Sequence, residues 1–167
     1  MKTNKMVGLV GLLLVAVVAL SACTIHIDRN DDGSLRAESQ MSEESIQKEI
    51  ALALRDPKVK ELTVDLKDGY MQVTGVKELP VGDHTDTLSF KMTLGVQDGH
   101  LTATISEAKF NQNPIDEGRV AEWNKRIATN LEKKGQNHPD STLESVSVTP
   151  DGVTMVWRIE TKYSKGE

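Results

Sequence analysis

Few side chains in this 167-residue chain combine a reactive type with a spacing that chemistry can use, and the best placed lie near its start. Cys23 is the only cysteine, so its thiol has no disulfide partner within the chain. Five residues on, Asp28, Asn30 and Asp32 place oxygen donors at alternate positions before Gly33, an order that suits a hard cation such as calcium. The four histidines, His26, His84, His100 and His138, are dispersed without the spacing of a zinc site. No Gly-x-Ser-x-Gly elbow, phosphate loop or zincin helix occurs, so no local pattern points to nucleophilic, phosphoryl-transfer or metal-hydrolase chemistry. The reading is non-enzymatic, with no cofactor implied.

The stretch from Asp28 to Leu35 resembles the first half of an EF-hand or dockerin loop, with Gly33 at the turn and Leu35 at the apolar eighth position. Its twelfth position is Ser39 rather than a bidentate glutamate, and no helix enters the loop. The expectation is an acidic turn, with Asp28, Asn30 and Asp32 the only calcium candidates and no metal assigned.

The surroundings of Cys23 are more specific. Lys2 and Lys5 open the chain, no acidic residue precedes Asp28, and Met6 to Leu20 is an unbroken run of 15 apolar or glycine residues. That run fits the apolar region of a secretory signal and is short of the roughly 20 residues a membrane span needs. It ends in Leu20-Ser21-Ala22-Cys23, which resembles the lipobox of bacterial lipoproteins. The resemblance implies a diacylglyceryl group on the Cys23 thiol and cleavage after Ala22, with Leu20, Ser21 and Ala22 read by the signal peptidase. Residues 1–22 would be removed, leaving the 145 residues from Cys23 to Glu167 anchored by two or more acyl chains, which hold where a single chain does not. The implied location is the extracytoplasmic side of a cell-envelope membrane. Because Thr24 rather than Asp follows the cysteine, the outer membrane is implied if the organism is diderm.

Composition sets further bounds. Loss of Lys2 and Lys5 with the signal deepens the net charge from −5 to −7, which argues against nucleic acid and against electrostatic docking on anionic lipid. With no cysteine left to pair, an exported body must be stabilised by its core, and a domain of this size can bury about two thirds of its unfolded surface. Six aromatic residues serve it, so the core is mostly Val, Leu, Ile and Met.

Residues 23–41 read as the lipidated cysteine and a polar tether, with a short hairpin around Asp32-Gly33, and residues 42–163 as a single α+β domain. Ser42 caps a helix in which Met41 and Ile46 form a hydrophobic staple and Ile46, Ile50, Ala53 and Leu54 share a face until Asp56-Pro57. Three Asp-Gly hairpins are predicted. The first places Leu66 opposite Met71 and Val64 opposite Val73. The second places Val96, Leu94 and Met92 opposite Leu101, Ala103 and Ile105, with a bulge near Ser106-Glu107 where the apolar parity shifts. The third turns at Asp151-Gly152, setting Val148 against Met155 and Val146 against Trp157. A helix over about 116–134 carries Val120, Trp123, Ile127, Ala128 and Leu131 on one face. The expected fold is an antiparallel, strongly twisted sheet of about six strands packed on two amphipathic helices.

This order of elements resembles small bacterial envelope proteins with a lipid-binding fold of the tubular, SMP-like kind. The segments that carry it are residues 62–75, Leu88 to Ile105, and Val146 to Trp157. The resemblance implies a curved sheet around a long helix and an apolar groove. Met71, Phe90, Met92, Leu94, Ile105, Met155 and Trp157 would line that groove and take a lipid or other apolar ligand. The alternative is that these residues fill a closed core and the body is a protein-interaction module displayed at the membrane, with an envelope protein as partner.

Overall fold

The computed structural model describes residues 24–54, 59–78, 85–135 and 140–161. In chain order these form β1 (Thr24–Arg29), β2 (Leu35–Met41), α1 (Glu43–Leu54), β3 (Val59–Lys67), β4 (Tyr70–Glu78), β5 (Thr85–Gln97) and β6 (His100–Phe110). Then come β7 (Asn113–Pro114), α2 (Glu117–Gly135), β8 (Ser141–Thr149) and β9 (Gly152–Ile159). The mixture of antiparallel sheet and two helices is compatible with an α+β fold. The single sheet of about six strands is not what forms. Among the described residues nine strands divide between a five-stranded sheet, β3-β4-β5-β6-β7, and a four-stranded sheet, β1-β2-β9-β8.

Two of the three hairpins follow from local pattern alone. Across Asp68-Gly69, Leu66 pairs with Met71 and Val64 with Val73. Across Asp98-Gly99, Val96, Leu94 and Met92 pair with Leu101, Ala103 and Ile105. Asp98 and Gly99 both have positive φ, 51° and 75°, as a type I′ turn requires. The bulge falls at Glu107, which adopts φ 51° and lies within the three-residue step of β6 that faces a two-residue step of β5. The extra residue keeps Ile105 and Ala108 both on the buried face.

The third hairpin is a correction. Thr149 pairs with Gly152, Val148 with Val153, Val146 with Met155 and Leu143 with Trp157, so the turn is Pro150-Asp151 and the register is two residues from the expected one. Proline has no N–H for the ladder and its fixed φ suits the first corner of a turn, which draws the turn back onto Pro150. A shift of two preserves the faces, so the apolar side still points inward. Gly152 also lies against the end of β2, where a Cβ would come 2.6 Å from the Met41 carbonyl oxygen.

The stretch read as a polar tether is likewise structured: β1 and β2 form a hairpin, and β2 is an interior strand paired with β9. Its buried side consists of Ala37, Ser39 and Met41, two of them too small or polar to register as a strand signal. The small residues face large ones across the ladder, Ala37 opposite Trp157 and Ser39 opposite Met155. A further short hairpin, β6–β7, turns at Asn111-Gln112, both with positive φ. Asn111 is fixed there by its side chain, which accepts from the Thr87 N–H and donates to Asp86.

The α1 start is as expected. The Ser45 N–H donates to Ser42 Oγ, and Met41 and Ile46 are both buried at the staple positions. The side chains of Ile50, Ala53 and Leu54, and the Asp56-Pro57 stop, lie outside the described residues. In α2, Trp123, Ile127 and Leu131 form the buried stripe, with Val120 half-buried; Ala128 is exposed, because three residues spaced by four already span the contact.

Both sheets and both helices contribute to one hydrophobic cluster. The sheets meet where β8 crosses the hairpin turns: the Gly69 N–H donates to the Val148 carbonyl at 2.9 Å and the Leu143 N–H to the Gly99 carbonyl at 2.8 Å. Helix side chains cover the rims of the larger sheet. Glu43 accepts from the Leu66 N–H at 2.8 Å, and Gln47 from Val64 at 3.5 Å, along edge strand β3. On β6, Asn124 of α2 acts as a substitute strand residue, accepting from the Ile105 N–H at 2.7 Å and donating to its carbonyl at 2.9 Å.

Replacing Asn124 with Ala orphans both backbone groups of the buried Ile105 and should lower stability by about 2 kcal/mol in urea unfolding. A loss below about 0.5 kcal/mol would mean that water replaces the amide.

Candidate functional site

Three sets of residues are candidates from the sequence, and the fold treats them differently. Cys23, with Leu20, Ser21 and Ala22, lies outside the described residues, which begin at Thr24. Among the described residues no helix is long and apolar enough to cross a membrane.

The seven groove candidates are brought together across the two sheets. Met71, Phe90, Met92, Leu94 and Ile105 come from β4, β5 and β6, and Met155 and Trp157 from β9. Met71, Phe90, Met92 and Ile105 are each exposed by 1% or less, and Met155 is buried; Leu94 and Trp157 are half-buried against the same cluster. The cluster also contains Ile46 of α1 and Trp123, Ile127 and Leu131 of α2, so both helices supply side chains to the surface the groove would occupy. The arrangement is that of a covered core. One polar atom within it, the indole Nε1 of Trp123, is buried with no hydrogen-bond partner among the described residues.

The acidic loop is organised by its own hydrogen bonds. The Ser34 N–H and hydroxyl both donate to Asp32 Oδ1, at 3.0 and 2.6 Å, and the Asn30 amide donates to Ser34 Oγ at 2.9 Å. The Asn30 N–H donates to the Ser34 carbonyl, closing the turn. The other Asp32 oxygen pairs with the Arg158 guanidinium of β9, which also donates through Nε to Glu160 at 2.9 Å, and the Thr161 hydroxyl donates to the Gly33 carbonyl. Asn30 is thus bonded within the turn, and Asp32, another of the three calcium candidates, ties the β1–β2 turn to the end of β9. Among the described residues no group of three or more His, Cys, Asp or Glu is placed to hold a metal ion.

Two of the few apolar residues in the segment expected to be a tether are left uncovered. Ile25 and Ile27 of β1 are exposed by 50% and 59%, the two most exposed large apolar residues among those described. Through their partners Ser39 and Ala37, and onward to Met155 and Trp157, they continue the inward face of the smaller sheet beyond its cover. The signal was present in the alternation of Ile25 and Ile27 with Thr24, His26 and Asp28, too short to stand out from a polar segment.

Hydrogen bonds from Ser34 first, then from Arg158, hold the Asp32 carboxyl at about 2, below its ordinary value of 3.8. A depressed pKa means the folded state favours the charged form, so this contribution is present above pH 4 and fades as pH falls towards 2. Asp32→Asn should therefore be less stable than the parent at neutral pH, with the gap narrowing between pH 4 and 2 in denaturant titrations. A gap independent of pH over that range would remove the carboxylate charge as the source.

Compared with family models, with curated proteins and with solved structures, the chain matches none, so the reading of its function rests on its own residues.

Proposed function

We propose that the protein is a non-enzymatic lipoprotein of the cell envelope, anchored through acylated Cys23 on the extracytoplasmic side of its membrane, whose body acts through its surface as a protein-interaction module. The observation that carries the anchor is the order of Lys2 and Lys5, the 15-residue apolar run and Leu20-Ser21-Ala22-Cys23. In a diderm organism Thr24 after the cysteine favours the outer membrane. The interaction reading is supported by the covered core, since the residues that would line a groove belong to or pack against one buried cluster that side chains of α1 and α2 share. An acidic body held by lipid needs no electrostatic attraction to the membrane, and its charge keeps it soluble there.

A second reading has one observation in its favour. The unpartnered indole N–H of Trp123 lies within the cluster that contains Met71, Phe90, Met92 and Ile105. A lipid or other apolar ligand carrying an acceptor, such as an ester carbonyl, would satisfy that donor after a modest opening of α2 from the sheet.

Cys23→Ser should leave the chain uncleaved or release it from the membrane fraction; retention at the processed size would sink the anchor. Native mass spectrometry of the full-length protein in detergent separates the two readings of the body. A mass equal to the acylated chain is expected for the interaction module. A reproducible extra mass, resolved as lipid on denaturation and lost in Trp123→Phe, would establish the ligand site instead.

A further inference from the structure

The rims of the two sheets are treated unequally. Side chains of α1 and α2 cover backbone groups on β3 and β6, and the hairpin turns at Gly69 and Gly99 cover those of β8. Apart from the two-residue β7, strand β1 is the remaining rim, and among the described residues none makes a hydrogen bond to its outward edge from Thr24 to Asp28. All six of its residues are exposed, with Ile25 and Ile27 side by side on one face. An open rim with an apolar pair is a hazard in solution, which proteins ordinarily blunt with charge or cover.

The chain places a cover beside it. Ile25 is two residues from Cys23 and Ile27 four, so whatever the conformation between them these side chains start within about 7 and 14 Å of the Cys23 backbone. On an acyl anchor, Ile25 is held within reach of the boundary of headgroups and acyl chains, a zone about 5–10 Å deep, and Ile27 reaches it when β1 is inclined along the surface. The strand is graded to match: its apolar pair lies at the anchored end and its charges, Asp28 and Arg29, follow at the far end. We propose that Ile25 and Ile27 insert into the lipid interface of the membrane that holds Cys23, which covers the open rim and fixes the orientation of the body on the bilayer. This inference rests on the lipoprotein reading. A second copy fits less well. Antiparallel pairing of two β1 strands would set the two anchors at opposite ends of a six-residue ladder, roughly 20 Å apart, with both strands forced flat on one leaflet.

The test uses the full-length acylated protein in phosphatidylcholine vesicles, a zwitterionic surface that does not repel an acidic body. Because acylation occupies the only native thiol, a cysteine introduced by Ile25→Cys, Ile27→Cys, His26→Cys or Val96→Cys is the sole site for a nitroxide label. Intact mass verifies acylation first. The ratio of collision rates with oxygen and with a water-soluble nickel chelate should be higher at 25 and 27 than at 26 and 96 by about threefold or more, as burial at the lipid boundary implies. Equal ratios in an acylated, vesicle-bound protein overturn this inference and leave the anchor standing. A chain recovered without acyl mass removes the anchor and the inference together. Spin–spin broadening between labels at 27 on separate copies would give the strip to a second copy and overturn the lipid contact.

Discussion

Two backbone hydrogen bonds, from Gly69 to Val148 and from Leu143 to Gly99, set where β8 lies, and the rest of the fold depends on that placement. Strand β8 belongs to the smaller sheet but rests on the turns of two hairpins of the larger one. By docking there it brings Leu143, Val148, Val153 and Met155 into the same cluster as Phe90, Met92 and Ile105. Without a disulfide and with only six aromatic residues in the chain, neither sheet has the apolar area to form a robust core separately. Gly99 allows the close approach: its φ of 75° suits the turn, and a Cβ there would come 2.6 Å from the Thr142 side chain.

The helices serve these sheets in two ways. Their apolar stripes, Ile46 on α1 and Trp123, Ile127 and Leu131 on α2, close the core. Their polar residues, Glu43, Gln47 and Asn124, occupy the hydrogen-bonding positions that another strand would otherwise take. Rims finished in this way are poor templates for pairing, which leaves β1, apart from the two-residue β7, as the open edge among the described residues. Under the proposed acyl anchor at Cys23, two residues before Ile25 in the chain, the neighbour of that edge is the membrane.

How much was legible depended on the range of the interaction. The hairpins at Asp68-Gly69 and Asp98-Gly99, their register, the bulge at Glu107 and the Ser42 cap follow from neighbouring residues, because turn chemistry and alternation act over a few positions. The third turn differs from the Asp-Gly expectation because Pro150 competes with it locally for the corner of the turn. The β1–β2 hairpin was only half legible: Asp32-Gly33 marked the turn, but Ala37 and Ser39 carry no strand signal until Trp157 and Met155 are known to lie opposite them. Asn111-Gln112 lacked the glycine that announces a tight turn, and its strained backbone is held by Asp86 and Thr87, some 25 residues earlier in the chain.

The sequence by itself determined the candidate anchor at Cys23, the acidic character of the body, and the apolar faces of β4, β5 and β6, since charge and periodicity are properties of the chain in any conformation. Only the tertiary structure decided that those faces form two sheets around one covered core, that Asp32 is bound to Arg158, and that Ile25 and Ile27 are left uncovered. The physical reason is that burial and pairing belong to contacts between distant segments. Asp32 meets its partner 126 residues away, and the exposure of an isoleucine depends on what else packs over it.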